Sequence, residues 1–456
     1  MFEKNGSTCK GGRNMNIGVI GLGYVGLVTA VCLATQGHRV IGVDIAQATI
    51  DQLQNGKPPI YETGLAELLR QAQSGSVIRF TTDIAHAIKE STVLFVTVET
   101  SSLPDGSPDL SQVWEICDQL AIYGQAGQLV IIKSTVPVGT TDAFAERLSN
   151  NHHIQFLDVV HNPDFLQQGR AVDDFLSPDR IVVGYENEST IPLINELYHF
   201  NQTPIQFCRR TSAELINYAA NAFLAMKISY INMFSQLCET FGADVADIAQ
   251  SIGNDPHIAP HFLKAGIGYG GSCIAKDIHT LIQTARAEGV PLPLLEAADR
   301  VNAWQMTRFV ERIEQRLDAL ADKRIALFGL SCKPGTDDIR EAPSLRFTEI
   351  ALAKGARIVA HDPLVKAFPY PQVELFSDPY TCMQGADAIV ILTDWPDFRA
   401  INWKRMCELP NEPLLFDGCN LFSIQEIKML AGSCPLEYHS IGRPCVKTFE
   451  SEKQVR

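Results

Sequence analysis

The sequence predicts an α/β fold with two parallel-sheet domains that are joined by a long helical segment. Short β-branched runs alternate with helix-compatible stretches between residues 15 and 210, which is typical of a parallel sheet with helices on both faces. A stretch without glycine or proline then runs from Ile205 to Phe241 and contains one helical pattern. Strand-like runs return after residue 321, so a second α/β domain follows the helices.

The strands of the first domain are predicted in the runs NIGVIGLG, RVIGVD, TVLFVTVE, QLVIIKST, FLDVVHN and RIVVGYE. Those of the second are predicted in KRIALFGLSCK, ARIVAHDP, ADAIVILTDW and PLLFDGCN. Thr211 and Glu214 have the spacing of a capping box, which predicts that the long helix begins there. We therefore expect a disordered tail over 1–14, a first domain over 15–210, a helical domain over 211–320 and a last domain over 321–456.

Composition excludes several classes of protein. The chain has 456 residues, of which 46% are hydrophobic and 20% charged, as in an ordinary globular protein. A net charge of −14 argues against nucleic acid or an anionic membrane as the main partner. The 12 cysteines include no CxxC pair, so we predict no metal site. Residues 1–14 do not resemble a signal peptide and no apolar run is long enough to span a bilayer, so a cytoplasmic protein is expected.

A glycine loop follows the first predicted strand. Gly21, Gly23 and Gly26 have G-x-G-x-x-G spacing, open a helix, and are followed by Asp44 after the next strand. In this context the loop predicts a dinucleotide site, because backbone N–H groups can approach a pyrophosphate and the carboxylate can accept ribose hydroxyls. Asp44 favours NAD over NADP, and Tyr24 and Val25 lie inside the loop. The alternative is a glycine turn with a structural aspartate.

Two further loops carry reactive or charged groups. In GYGGSCIAKD, Cys273 stands in an open glycine loop close to Lys276 and Asp277, where a thiol can ionise and act as a nucleophile. The alternative is a turn that happens to hold a small residue. In FGLSCKPGTDDIRE, Lys333 and Arg340 suit phosphates, although a solvated charged loop explains them equally well.

These motifs together resemble the UDP-glucose/GDP-mannose dehydrogenase family, especially its UDP-glucose 6-dehydrogenase branch. The similarity covers nearly the whole chain and rests on the motifs GLGYVG, DGSPDLS, KSTVPVGT, NPDFL, PDRIVVG, AANAFLA, GYGGSC and KPGTDDIRE. The resemblance implies two Rossmann-like parallel-sheet domains joined by a long central helix that forms a homodimer. It also implies two NAD-dependent oxidations of a nucleotide-sugar C6 alcohol, in which the cysteine carries a thiohemiacetal and then a thioester.

The resemblance also implies roles for individual residues. Catalytic positions fall on Cys273, Thr135, Asp164, Asn217, Asn221 and Asp277. Besides the glycine loop and Asp44, NAD contacts fall on Thr100, Thr135, Lys276 and Arg340. Contacts to the nucleotide sugar fall on Asp164, Phe165, Leu166, Gln168, Asn217, Asn221, Phe262, Lys264, Gly266, Gly270 and Lys333.

The sequence departs from the family pattern around the sugar. Asn217 stands where the family has a catalytic lysine, Asp164 where it has a glutamate, and Gln168 where it has a second one. Other replacements occur at His257, Ile274, Cys332 and Cys419. Three functions therefore stay open: a UDP-glucose 6-dehydrogenase, a dehydrogenase for another nucleotide sugar, and a catalytically weak NAD- and nucleotide-binding homologue.

Overall fold

The computed structural model describes residues 14–101, 103, 107–150, 155–271, 274–409, 414–433 and 435–448. Of the predicted tail over 1–14, residues 1–13 lie outside the described residues. The chain divides into two compact units, Met1–Ala220 and Asn221–Arg456, and each is described by itself. The division into four segments made above stays a prediction.

The first unit contains an eight-stranded sheet. Its strands are β1 Asn16–Ile20, β2 Arg39–Val43, β3 Ile78–Thr81, β4 Val93–Val96, β5 Leu129–Ile132, β6 Asp158–His161, β7 Ile181–Gly184 and β8 Ile205–Cys208. They lie in the order β3-β2-β1-β4-β5-β6-β7-β8, with β6 and β7 antiparallel and the other neighbours parallel. Six of these strands were predicted, whereas β3 and β8 were missed.

Helices cover both faces of this sheet, as predicted. They are α1 Tyr24–Thr35, α2 Gln47–Gln54, α3 Leu65–Ser74, α4 Ile84–Glu90, α5 Ser111–Tyr123, α6 Thr140–Ser149, α7 Ala171–Leu176 and α8 Ile191–Leu197, with a 3₁₀ helix at Glu188–Thr190. Alternate strand residues enter two different cores: Val93 and Phe95 pack on the side of α1 and α3, and Leu94 and Val96 on the side of α5 and α6. This alternation explains why the strands are apolar throughout.

The long helix α9 spans Arg210–Phe241, close to the predicted bounds. Because it begins at Arg210, the predicted capping box of Thr211 and Glu214 is wrong. The buried carboxylate of Glu214 instead accepts the N–H groups of Gly139 and Thr141, at 2.6 and 2.8 Å. It therefore satisfies the free donors at the start of α6, which lies about 70 residues earlier in the chain.

The second unit contains a seven-stranded sheet with the same order of its first five strands. The strands are β9 Arg324–Phe328, β10 Arg357–His361, β11 Glu374–Leu375, β12 Ala388–Ile391, β13 Leu414–Asp417, β14 Glu437–Ser440 and β15 Val446–Lys447. They lie in the order β11-β10-β9-β12-β13-β14-β15, and only β15 runs antiparallel to its neighbour. The fold class is therefore confirmed: two Rossmann-like sheets with helices and a long central helix.

The helices of the second unit are α10 Val245–Gly253, α11 Ile274–Ala287, α12 Pro293–Leu317, α13 Pro343–Ala353, α14 Pro379–Met383, α15 Pro396–Ala400 and α16 Ile424–Ala431, with a 3₁₀ helix at Trp403–Glu408. Ile231 of α9 and Met306 and Phe309 of α12 share one core with Leu327 and Phe416 of the sheet. The central helices of this unit thus pack directly on its sheet. None of the helices that the structure describes has the length and apolarity needed to cross a membrane.

Candidate active site

The glycine loop between β1 and α1 makes a close turn with an open side. Gly21 has φ +94°, and a Cβ on Gly26 would lie 1.8 Å from the carbonyl oxygen of Gly21. At Gly23 a Cβ would meet no described atom within 4 Å. The loop therefore needs glycine for its turn and helix packing, and it leaves free space at the N-terminus of α1, which fits a bound pyrophosphate.

Asp44 ends β2 beside this loop. Its Oδ2 accepts the N–H of Leu22 at 2.9 Å, and its Oδ1 accepts the N–H of Ala46 at 2.9 Å. The residue is half-buried, and each carboxylate oxygen can accept a second hydrogen bond. The carboxylate is thus oriented by backbone donors and retains acceptor capacity for ribose hydroxyls.

A glutamate that the sequence reasoning missed connects this loop to the segment after β6. The Tyr24 hydroxyl donates to Glu62, whose carboxylate also accepts the N–H groups of Gly169 and Ala171 at 2.8 and 3.0 Å. Glu62 is buried and caps α7 through these contacts. Its only sequence signal is an acidic residue in a proline-rich loop, which does not identify its partners.

Two of the predicted catalytic residues meet at the end of β5. The Asn217 side-chain amide on α9 donates to the Thr135 hydroxyl at 3.2 Å, and the Thr100 hydroxyl donates to the Thr135 carbonyl at 2.7 Å. Asn217 and Thr100 are buried, and Thr135 is half-buried. The amide, which stands where the resemblance implies a lysine, is therefore held against the threonine.

The predicted acid of the NPDFL motif pairs with a buried lysine. Asp164 Oδ1 lies 3.7 Å from Lys133 Nζ, and burial raises the pKa of Asp164 while the lysine charge opposes this effect. Burial lowers the pKa of Lys133, against the attraction of Asp164. Beside this pair, the Arg180 guanidinium lies 4.0 Å from the ring centroid of Phe165. The neighbouring predicted residues differ in exposure, since Leu166 is half-buried and Gln168 is buried.

In the second unit, two further predicted catalytic residues form a hydrogen bond. The Asn221 side-chain amide on α9 donates to the Asp277 carboxylate at 2.6 Å. Asp277 is buried in the first turn of α11, and Lys276 beside it is half-buried. Cys273, the predicted nucleophile, lies outside the described residues, and α11 begins one residue after it.

The glycine loop before α11 is held by side-chain amides that the sequence did not identify as functional. Asn232 of α9 accepts the Gly266 N–H, and Gln305 of α12 donates to the Gly266 carbonyl, both at 2.9 Å. Asn302 accepts the Tyr269 N–H at 2.7 Å and donates to its carbonyl at 2.9 Å. The backbone of this predicted substrate loop is therefore fixed at two points.

Glycine is required at particular positions in the same loop. A Cβ on Gly270 would lie 2.4 Å from the Glu341 carbonyl oxygen, and one on Gly266 would lie 3.0 Å from that of Gly418. Phe262 is exposed and has φ +63°. Close backbone contact, rather than flexibility, explains the two glycines.

The predicted cations of the second unit have different surroundings. Lys264 pairs with Asp394 at 2.9 Å, and Arg340 pairs with Asp338 at 2.8 Å, so carboxylates already hold both exposed side chains. Lys333 is half-buried in the loop after β9. Cys332 lies against the glycine loop, since its Sγ would be 3.8 Å from a Cβ on Gly271.

The remaining departures from the family pattern differ in exposure. The His257 side chain is 93% exposed and lies 2.9 Å from Asp255. Ile274 begins α11 and is half-buried. Burial raises the pKa of Cys419 well above its usual value, and the nearby carboxylates of Asp394 and Asp417 raise it further. Cys419 is thus a protonated thiol at neutral pH.

One group of potential metal ligands occurs in the described part of the chain, formed by Glu437, His439 and Cys445. The Glu437 carboxylate already accepts two hydrogen bonds from Arg316, at 2.6 and 2.7 Å, and lies 3.1 Å from Lys447. These cations lower the pKa of Glu437 to about 2, with Arg316 as the main cause. They compete directly with a metal ion for the carboxylate.

Comparison with known proteins matches three consecutive parts of the chain to one family. Residues 15–201 match the NAD binding domain of the UDP-glucose/GDP-mannose dehydrogenase family. Residues 211–304 match its central domain, and residues 326–424 match its UDP binding domain.

Individual relatives extend this similarity over most of the chain. The UDP-glucose 6-dehydrogenase TuaD of Bacillus subtilis is 38% identical over 441 residues, which cover 95% of this chain and 94% of TuaD. A UDP-glucose dehydrogenase structure from Pyrobaculum islandicum has a TM-score of 0.88 at 31% identity and covers 96% of this chain and 100% of its own. A UDP-D-ManNAc dehydrogenase structure from Pyrococcus horikoshii has a TM-score of 0.83 at 29% identity, covering 94% and 99%. The chain belongs to the UDP-glucose/GDP-mannose dehydrogenase family and is an NAD-dependent nucleotide-sugar dehydrogenase.

Proposed function

We propose that the protein oxidises UDP-glucose twice at C6 to give UDP-glucuronate, through a thiohemiacetal and a thioester on Cys273. The observation that carries this proposal is the 38% identity to a UDP-glucose 6-dehydrogenase over 441 residues. Two side-chain pairs support it, because the Asn217 amide meets the Thr135 hydroxyl and the Asn221 amide meets the Asp277 carboxylate. These are groups that can hold a reacting oxygen, a water molecule and a proton.

In the first unit, the glycine loop and Asp44 hold the dinucleotide, with Thr100 and Thr135 at the neighbouring strand ends. NAD, when bound, accepts a hydride in each of the two oxidations. Asn217 offers a neutral hydrogen bond to the C6 oxygen, where a lysine would offer a charged one. This difference predicts a lower rate rather than a different reaction, since a charged donor stabilises a developing oxyanion more strongly.

In the second unit, the Cys273 thiol adds to the C6 aldehyde, and its proton passes to the carbonyl oxygen. The second oxidation converts this thiohemiacetal into a thioester. Water then attacks the thioester carbon, the C–S bond breaks, and the thiol leaves with a proton from the water. The resemblance assigns the handling of water and protons to Asp277, which Asn221 holds, and to Thr135 of the first unit, and it assigns dinucleotide contacts to Lys276 and Arg340.

Contacts to the substrate come from three loops. The segment from Asp164 to Gln168 contacts the sugar, together with Asn217 and Asn221. The loop with Phe262, Lys264, Gly266 and Gly270 contacts the nucleotide, and Lys333 binds phosphate. The contact of Lys264 with the nucleotide requires Lys264 to exchange its partner Asp394 for the ligand, which a surface ion pair permits at small cost.

The protein forms a homodimer through α9. Phe223, Tyr230 and Leu237 recur at seven-residue spacing on this helix and are 59%, 46% and 49% exposed, and Phe241 at its end is 79% exposed. Such a stripe is the face that a second copy would cover. Changing Phe223 and Tyr230 together to aspartate should give a monomer by light scattering. Aspartate at exposed Gln47 and Gln71, remote in sequence from α9, is the control.

A dehydrogenase for another nucleotide sugar is the second candidate. The changes at Asn217, Gln168 and Cys332 favour it, as does the likeness to the structure named as a UDP-D-ManNAc dehydrogenase. An N-acetylhexosamine needs more room at C2 than glucose. The resemblance implies aromatic side chains where this chain has Ile274 and Cys332, and the smaller side chains supply this room.

A substrate screen tests the proposed function. The purified protein is incubated with NAD and, separately, with UDP-glucose, UDP-N-acetylmannosamine, UDP-N-acetylglucosamine, UDP-galactose and GDP-mannose. NADH release is followed, and the products are identified by mass. The proposal expects the highest kcat/KM with UDP-glucose and a uronate as product. A higher kcat/KM with an N-acetylated sugar would replace it by the second candidate.

A further inference from the structure

Lys227 on α9 makes a contact to which neither the sequence motifs nor the proposed mechanism assigns a task. Its Nζ donates to the carbonyl oxygens of Ile258 and Ala259, at 2.9 and 3.1 Å. The side chain is half-buried, and both of these partners belong to the backbone of the second unit. Hydrogen bonds from a charged donor are stronger than neutral ones, so the ammonium group holds this piece of backbone firmly.

The two carbonyl groups belong to a strained turn that follows α10. The N–H groups of Ile258 and Ala259 both donate to the Asp255 carbonyl, at 3.0 and 2.9 Å. Ala259 has φ +61°, and Phe262, three residues later, has φ +63°. Left-handed backbone is costly for a residue with a Cβ and persists only where surrounding contacts hold it. This short segment therefore depends on contacts with its neighbours.

Helix α9 holds the strained segment from both ends. On the downstream side, Leu263 is 3% exposed and shares a core with Ile231, which lies one helical turn after Lys227. Three residues further, Asn232 accepts the Gly266 N–H at 2.9 Å. The downstream end is thus fixed inside the core, whereas the upstream end is tied to α9 by the half-buried ammonium group.

We propose that Lys227 is a positioning residue, whose ammonium group holds the strained segment 259–262 so that Phe262 and Lys264 are presented to the nucleotide part of the substrate. This inference rests on the proposed function, which assigns nucleotide contacts to that loop, and it deepens it by naming the residue that keeps the loop in its binding conformation. Without the ammonium group, water can solvate the two carbonyl groups and the backbone can relax. Only a fraction of the molecules then keeps the competent loop, and the apparent Kd rises by the inverse of that fraction.

The test measures the Kd for UDP by calorimetry in the native protein and in Lys227→Met, which keeps the length of the side chain and removes its donors. The Kd should rise about tenfold if about a tenth of the molecules keeps the loop conformation. Lys227→Arg retains charged donors and should recover most of the binding. Lys366→Met is the matched control and should bind like the native protein, because Lys366 also donates to a backbone carbonyl of this unit, that of Pro363 at 3.0 Å.

Steady-state kinetics separate positioning from a general structural role. In Lys227→Met the KM for UDP-glucose should rise, while kcat, the Kd for NAD and the melting temperature stay unchanged, because the contact acts on bound substrate and transition state alike. A joint fall of kcat and melting temperature, with a raised Kd for NAD, would overturn the proposal. An unchanged Kd for UDP in Lys227→Met, or a native protein that does not bind UDP, would overturn it too.

Lys227 lies four residues after Phe223 and three before Tyr230, on the stripe proposed above as the dimer face. Light scattering should therefore give the same mass for Lys227→Met as for the native protein. A Lys227→Met monomer would contradict the proposal, since loss of the dimer would then explain weaker binding.

A second variant tests the strain itself. Glycine adopts positive φ without a steric penalty, so adding Ala259→Gly to Lys227→Met should recover part of the UDP binding. A double variant that binds UDP no better than Lys227→Met would show that Lys227 does not act on the strained turn, and the proposal would fail.

Hydrogen exchange gives a readout that needs no ligand. The amides of residues 258–263 should exchange faster in Lys227→Met, with α9 and the sheet unchanged. If the Kd for UDP rises as expected while UDP-glucose is not oxidised, the proposed function fails and the positioning role stands. If UDP-glucose is oxidised normally and the Kd for UDP does not change, the positioning role fails and the proposed function stands.

Discussion

The turns after the first strands of the two sheets are built alike. Gly21 and Gly329 both have φ +94°, and their N–H groups donate to the ends of β2 and β10, at 2.8 and 2.9 Å. In each unit the next residue donates its N–H to the aspartate that follows the second strand: Leu22 to Asp44 at 2.9 Å, and Leu330 to Asp362 at 2.8 Å. The two units thus share one backbone conformation in the turn that follows the first strand.

The two units differ in how many further hydrogen bonds this aspartate can accept. Asp362 is buried and accepts hydrogen bonds from the N–H groups of Leu330, Ser331, Leu364 and Val365 and from the Trp395 indole. Asp44 is half-buried, with Leu22 and Ala46 as its hydrogen-bond donors in the described part of the chain. The structural aspartate, considered above as an alternative reading of Asp44, is therefore realised at Asp362. A similar turn does not imply a similar ligand, and only the first unit matches an NAD binding domain.

The largest expected effect is a loss of catalysis on substitution of Cys273 in the second unit, with no change in cofactor binding by the first unit. Cys273→Ser should lower uronate formation by on the order of 10³-fold or more, because a serine hydroxyl is a far weaker nucleophile than a thiolate. The Kd for NAD, measured by fluorescence titration, should stay unchanged. Uronate formation at the native rate would show that Cys273 is not the nucleophile.

The two aspartates should respond differently to the same substitution. Asp44→Ala removes charge-assisted hydrogen bonds to the ribose, so the Kd for NAD should rise about 10- to 100-fold and discrimination against NADP should weaken. Asp362→Ala leaves buried donors unsatisfied, so the free energy of unfolding should fall by about 3 kcal/mol or more.

Binding titrations and thermal melts of the two aspartate variants distinguish these effects. An Asp362→Ala variant with the native melting temperature and a raised Kd for NAD would contradict the structural role of Asp362.

A smaller effect is expected at Asn217, whose amide donates to Thr135. Under the proposed function, Asn217→Lys supplies a positive charge beside the C6 oxygen, so kcat with UDP-glucose at saturating NAD should rise by on the order of tenfold. Asn217→Met is the control for packing at this buried position, because a methionine side chain is similar in length to that of lysine and carries no charge. A high native kcat that falls in Asn217→Lys would mean that the site is built around the amide.

The sequence predicted much of the fold but few of the contacts that hold the site. Long apolar runs and the stretch without glycine or proline marked six of the eight strands of the first sheet and most of α9. The runs at β3 and β8 lack that continuous apolar character, since Arg79 and Gln206 face outward. The predicted capping box is wrong because Glu214 instead accepts hydrogen bonds from the start of α6. Only the tertiary structure brings Glu214 close to that helix.

The contacts of Glu62, Lys133 and Asn302 could not be predicted from the sequence for a similar reason. Each acts on backbone or side-chain groups at least 29 residues away, through hydrogen bonds or an ion pair that no local pattern encodes. Motif residues, in contrast, were identified because a glycine loop or a thiol loop has a local sequence signature.

The stoichiometry of the reaction tests most directly whether the protein oxidises UDP-glucose twice. A limiting amount of UDP-glucose is converted with excess NAD, NADH is measured by absorbance, and the sugar product is quantified by NMR. The account predicts two NADH for each UDP-glucuronate, with no free aldehyde. One NADH for each sugar with an aldehyde as product, or no conversion of UDP-glucose while another nucleotide sugar is oxidised, would contradict it.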